Sequence, residues 1–201
     1  MKNYISINGQ KTELTEEQVK KIKESFAAQM VKLADNAPGD VVKVGDHEFV
    51  VLEHRAEGTL LLRKDSLGDM SFGNNNNYDG SDADAVCNQF AKEIAVIVGE
   101  ENIITHEVDL TANDGLKDYG IVKRKASLRT AQMQREYVEI LDKYRLDGYE
   151  LLATAYSTPT HNDSTYVLCV SPSGNVNIGS YYYRGGVRPF CILNSNIFVS
   201  I

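Results

Sequence analysis

At 201 residues the chain is long enough to bury a core without disulfide or metal staples. Its hydrophobic share of 42% and charged share of 24% are those of an ordinary globular protein, and a net charge of −7 argues against direct binding to a nucleic-acid backbone, which needs a basic surface. The three cysteines form no CxxC or His/Cys pattern, so neither a disulfide framework nor zinc is expected, and no apolar run reaches the ~18 residues of a membrane span.

Tyr4, Ile5 and Ile7 predict a short strand ending at the turn Asn8-Gly9. Thr15-Glu16-Glu17-Gln18 has the form of a capping box. Val19, Ile22, Phe26, Met30 and Leu33 follow at helical spacing, which predicts an amphipathic helix from about Thr15 to Ala34. Its apolar face needs cover from its own domain or from a second copy, so a homo-oligomer through this helix is one expectation. Asp35-Asn36-Ala37-Pro38-Gly39-Asp40 stops the helix and is expected as a linker. It divides an N-terminal arm, residues 1–37, from a main domain, residues 38–201.

Val41 to Val44, Phe49 to Leu52 and Thr59 to Leu62, joined by Gly-containing turns, predict an antiparallel meander. His47 and His54 fall on or near it without ligand-spaced partners. Asn74-Asn75-Asn76-Asn77-Tyr78 resists helix and buried strand, because asparagine competes for its own backbone. An exposed loop is expected there, with Asn75, Asn76 and Tyr78 as polar contact residues.

Ser81 caps a second helix lined by Val86, Phe90, Ile94 and Ile97, with Cys87 as a small core residue beside them and Gly99 at its end. Asp109, Asp114 and Asp118 do not match a calcium loop and predict Asx-type turns instead. Thr130 caps a third helix with Met133, Tyr137, Ile140, Leu141 and Tyr144 as its inner stripe. Strands are then expected at Tyr149 to Thr154, Tyr166 to Ser171 and Asn175 to Ile178, with a polar loop at Ser157 to Ser164 that carries His161 and Asn162.

The chain closes on Tyr181-Tyr182-Tyr183-Arg184 and Gly185-Gly186-Val187-Arg188-Pro189-Phe190. Tyrosines beside an arginine make good contact surface, so Tyr181, Tyr182, Tyr183 and Arg184 join the candidate contact residues. Gly186, Arg188 and Pro189 are expected to be structural: backbone freedom, an internal ion pair or carbonyl contact, and a fixed chain direction.

No GxSxG, GxGxxG or Walker motif occurs, so hydrolase and nucleotide chemistry have no positive signal. Cys169 and Cys191 both fall on apolar strands near the C-terminus and could be neighbours in one sheet. They are read as core thiols, with a redox or copper-binding pair as the alternative.

Asp109-Leu-Thr-Ala-Asn-Asp-Gly115-Leu-Lys-Asp-Tyr-Gly120, Lys125-Ala-Ser-Leu128, Leu151-Leu-Ala-Thr154, Tyr166-Val-Leu-Cys-Val-Ser-Pro-Ser-Gly174 and Gly186-Val-Arg-Pro189, in that order, resemble a bacterial and phage family of unknown function. The resemblance spans roughly Pro38 to Val199. It implies the C-type-lectin-like fold of formylglycine-generating enzymes and a phage or mobile-element setting. Where that family usually carries two tryptophans, this chain has Tyr149-Glu150 and no tryptophan anywhere. Neither Glu-Pro-Asn nor Gln-Pro-Asp occurs, so calcium-dependent sugar binding is not implied.

The expectation is therefore an α+β protein: a C-type-lectin-like domain of twisted antiparallel strands with flanking helices, preceded by an amphipathic helix. It is read as a non-enzymatic phage or mobile-element protein that binds another macromolecule, with a protein as the expected partner, through polar-aromatic loops, without cofactor, metal, direct nucleic acid or membrane. A host-cell cytoplasmic location is expected, or association with a virion. Two alternatives stand beside it: an acidic, anti-CRISPR-like inhibitor of a host defence nuclease, and a formylglycine-generating-enzyme-like oxidase using Cys169 and Cys191.

Overall fold

Thr15 and Gln18 cap the first helix reciprocally. The Thr15 N–H donates to Gln18 Oε1 at 2.9 Å and the Gln18 N–H to Thr15 Oγ1 at 3.2 Å. This is one feature of a computed structural model that describes residues 3–7, 10–27 and 30–201. The fold is mixed α+β, mostly strands, with four α-helices among the described residues and a curled antiparallel half-barrel sheet.

β1 (Asn3–Ile7) and β2 (Gln10–Leu14) pair as an antiparallel ladder; the expected turn at Asn8-Gly9 lies outside the described residues. α1 covers Glu16–Ala27. The helix does not run to Ala34. Met30–Lys32 is instead β3, and Leu33–Asp35 is a single 3-10 turn with Leu33 fully buried. Strand pairing with the distant C-terminal segment overrides the helical spacing of Met30 and Leu33.

The supposed linker is anchored too. The Leu33 and Ala34 N–H groups donate to Ile197 O and Ser195 O, Asn36 is buried with its amide on Lys32 O, and the Gly39 N–H donates to Val51 O at 2.7 Å. Residues 30–37, expected in the arm, thus belong with the main sheet.

β4 (Val41–Val44), β5 (His47–His54) and β6 (Thr59–Arg63) form the expected meander. After β7 (Asp69–Met70) comes α2 (Asp82–Val98), whose Ser81 cap accepts the Asp84 N–H at 3.1 Å. β8 (Ile103–Ile104), β9 (His106–Asp109), β10 (Ile121–Arg124) and β11 (Ala126–Leu128) follow. The third predicted helix is split at Tyr137 into α3 (Ala131–Glu136) and α4 (Val138–Leu141). The remaining strands are β12 (Glu150–Ala155), β13 (Tyr166–Val170), β14 (Val176–Ser180), β15 (Gly185–Gly186), β16 (Pro189–Leu193) and β17 (Phe198–Ser200).

The large sheet has the order β11-β16-β6-β5-β4-β17-β3, and β8 takes the half of β16's edge that β11 leaves. A five-stranded sheet has the order β14-β13-β12-β15-β7, and β9 pairs with β10 alone. The large sheet is covered on both faces, which is why its central strands are almost continuously apolar. Phe49, Val51, Leu61 and Cys191 point to Phe90 and Ile94 of α2, while Val50, Leu60, Leu62 and Phe190 point to Tyr137 and Leu141. Burying Phe90 and Ile94 contributes about 1.5–3 kcal/mol each. The first turns of α2 face the other way: Ala83 and Cys87 pack with Tyr78, Leu151 and Val167 against the five-stranded sheet.

The Gly-Gly-Val-Arg-Pro segment, expected to be structural, is buried throughout. A Cβ on Gly186 would sit 3.0 Å from Ser66 Oγ, and one on Gly185 3.0 Å from Leu151 Cδ2, so the need here is for space. Arg188 is 1% exposed. Its Nε donates to Arg63 O at 2.6 Å and its Nη1 to Tyr144 O at 2.9 Å, with Glu150 Oε2 at 3.5 Å. Arg129, equally buried, pairs with the same carboxylate and donates to Gln134 Oε1. Pro189 opens β16 opposite Leu128.

Candidate functional site

β14 ends at Ser180, and Tyr181 to Tyr183 make a turn closed by the Tyr183 N–H on Ser180 O at 2.9 Å. A continuing strand would have sent alternate tyrosines to opposite faces. The turn releases them from that alternation. Tyr181 packs on the core, while Tyr182 and Tyr183 stand 57% and 62% exposed. The three rings stack edge to face, with centroids 5.5 and 4.9 Å apart. Arg184 donates from Nη2 to Asp69 O, which ties its guanidinium to β7.

Beside this turn lies a groove of about 320 Å³ across β12, β13 and β14. Leu151, Val167 and Cys169 are its apolar lining, and Tyr149, Tyr183 and Arg184 also border it. Leu151 lies opposite Cys169, and Cys169 opposite Asn177, so the strand register brings these residues side by side. Gly179 keeps the groove open: a Cβ there would meet only Cys169 Sγ, at 3.6 Å. Ser180 lines the same groove, and its buried hydroxyl has no partner among the described residues. A volume of this size, mostly apolar with a few convergent polar groups, falls near the lower end of the range of small-ligand pockets.

The other expected contact residues divide. Asn75 is exposed, and its Oδ1 accepts the Asn77 N–H at 2.8 Å. Asn76 and Tyr78 are fully buried and cannot meet a partner. Asn76 donates to Ser157 O and Tyr166 O and accepts from Tyr119 Oη; Tyr78 Oη accepts the Leu128 N–H at 3.0 Å. Their partners come from distant chain segments, which turned polar residues of an asparagine run into core residues.

His161 and Asn162 are exposed on a neighbouring loop, joined to the asparagine loop by the Asn76 N–H on Ser164 O at 3.0 Å. Asn162 takes a left-handed conformation, φ 56°. His161 Nδ1 lies 3.0 Å from Asp114 Oδ2, the oxygen that also accepts the Ser157 hydroxyl. Asp118 accepts from Thr158 and Thr160. These hydroxyls hold both carboxyls below their usual range, Ser157 for Asp114 and Thr158 for Asp118. Ser157 donates to the acid and not to the histidine, so the nucleophile–base contact of a hydrolase is not made. The arrangement ties one loop to another. Asp109 and Asp114 make the expected Asx turns to Thr111 and Leu116.

Cys169 and Cys191 are not neighbours in one sheet: the first is on β13 of the five-stranded sheet, the second on β16 of the large one. Burial raises the Cys169 thiol and pushes Cys191, like Cys87, up to about 12. Thiolate chemistry gains no support from such surroundings. Among the described residues no group of three or more His, Cys, Asp or Glu is placed to hold a metal, and no helix is long and apolar enough to cross a membrane.

Tyr149, Leu151, Ile178 and Gly179 were not read as site residues from the sequence, and Cys169 was read only as a core thiol or a redox partner of Cys191. The signal that could have found them is Gly179 interrupting a strand, which marks a place left open for something else. No family model, no curated protein and no solved structure matches this chain.

Proposed function

We propose that this is a binding protein whose contact face is the groove at Gly179 together with the Tyr182–Arg184 turn. One observation carries the reading: an apolar groove of about 320 Å³ opens beside two exposed tyrosines and a pinned arginine. Aromatic and arginine anchors around a desolvated pocket are where binding energy concentrates. An extended peptide suits the place, because β14 is the edge of its sheet and offers main-chain groups for one more strand. The C-type-lectin-like architecture belongs to the same proposal; the mixed α+β make-up and the curled antiparallel sheet support it.

The test is panning of a random peptide display library on the purified chain, followed by titration of the selected peptides. Gly179→Leu fills the groove without a backbone clash, since the nearest atom to a new Cβ is at ordinary contact distance. It is expected to weaken selected peptides at least tenfold, about 1.4 kcal/mol, with the melting temperature nearly unchanged. Peptides that bind wild type and Gly179→Leu equally, or a library that yields none, would reject the groove.

A further inference from the structure

The buried polar knot around Glu150 is out of electrical balance. Arg129 and Arg188 are 2% and 1% exposed, and between them stands one carboxylate, itself 3% exposed. An arginine does not shed its proton inside a protein. Two buried cations face one buried anion; the exposed Asp65 carboxylate attracts Arg188 from the surface and offsets part of the surplus. The remainder sits in a low-dielectric interior, where a poorly compensated charge costs several kcal/mol. Burial first, and then the Arg188 charge, depress Arg129 well below its ordinary value. The Glu150 carboxylate is taken up by Arg129 on one oxygen and lies 3.5 Å from Arg188 on the other. Arg188 Nη2 remains buried with no partner among the described residues.

A cavity of about 10 Å³ borders this knot, lined by Arg129, Arg188, Glu150, Gln134, Ser171 and Gly174. That is the space open to the centre of a water-sized body, and it admits one water or one monatomic ion. A phosphate or sulfate, with four oxygens, does not fit. The Asp142–Arg145 ion pair, at 2.7 Å and half exposed, lines the same cavity and neutralises itself, so it does not supply the missing negative charge.

We propose that this cavity is a halide site, in which a chloride ion accepts from Arg188 Nη2 and neutralises the surplus guanidinium charge. The ion balances the knot to two positive and two negative charges. The site is independent of the groove at Gly179, and its success or failure leaves that reading untouched.

The test uses the whole chain. Thermal unfolding is compared in sodium chloride, sodium bromide and sodium gluconate at equal ionic strength. Chloride and bromide are expected to raise the melting temperature saturably, by about 4 °C at tenfold above their Kd, while gluconate does not. Identical curves in chloride and gluconate overturn the proposal. Glu150→Gln removes the competing carboxylate and is expected to lower the half-saturating chloride concentration about tenfold; an unchanged or higher value counts against the site. Should that variant fail to fold, crystals of the unmodified chain in bromide decide. An anomalous peak within hydrogen-bond reach of Arg188 Nη2 supports the assignment, and a water without anomalous signal there refutes it.

Discussion

Tyr78→Phe removes one oxygen from the interior and leaves the ring in place. Tyr78 is fully buried, and its ring lies 6.1 Å from that of Phe72. Its hydroxyl oxygen accepts the Leu128 N–H at 3.0 Å. In the variant that backbone N–H stays buried without its acceptor, a loss of about 1–3 kcal/mol. No cavity of methyl size opens, so the packing contribution is small. Taking about 2 kcal/mol, and a urea slope of about 2 kcal/mol per molar, the urea midpoint moves down by about 1 M. The melting temperature falls by roughly 4–8 °C. Paired urea titrations followed by far-UV circular dichroism measure this, with groove-peptide titration of the folded variant alongside. The reasoning is refuted by an unchanged midpoint. It is equally refuted by a variant that keeps its stability and loses peptide binding, since Tyr78 would then be a contact residue.

Two further predictions concern titration and accessibility. Burial pushes the His106 imidazole down to about 4, where it lies on Phe190 with ring centroids 4.5 Å apart. The unfolded chain takes up that proton near pH 6.5 while the folded chain refuses it, so stability is full above about 6.5, falls as the pH drops toward 4, and levels off below. The contribution is about 3 kcal/mol, and His106→Gln is expected to flatten it in urea titrations at pH 7.5 and 4.5; an equal pH response in both proteins contradicts this. Cys87 and Cys191 are expected to resist a disulfide reagent in the native state and to react only on unfolding, because both are sealed in the core, whereas Cys169, on the groove wall, is expected to react first. Rapid native labelling of Cys191 would show that the large sheet is not sealed.

The strands were legible because β5, β6 and β16 are apolar on both sides, and composition alone marks such segments. The caps at Thr15, Ser81 and Thr130 were legible because their hydrogen bonds are local. What escaped depends on distant partners. Met30 and Val31 suit a helix until Val199 and Ser200 offer a ladder. Asn76 reads as a solvated loop residue until Ser157, Tyr166 and Tyr119 meet its amide. The candidate site was half visible: Tyr182, Tyr183 and Arg184 declare themselves by residue type, whereas the groove beside them exists only once Leu151, Cys169 and Asn177 come into register.

The position of β17 sets the order in which the protein can be made. Phe198–Ser200 pairs with β3 on one side and reaches β4 on the other, so residues 30–44 wait for residues 198–200. A nascent chain emerges at about 5–20 residues per second. For about 7–28 seconds, therefore, the meander of β4, β5 and β6 waits with an open edge at β4. Such an edge invites pairing with another chain. Synthesis speed between Arg63 and Ser200, alongside the final stability, then bears on how much of the protein escapes aggregation.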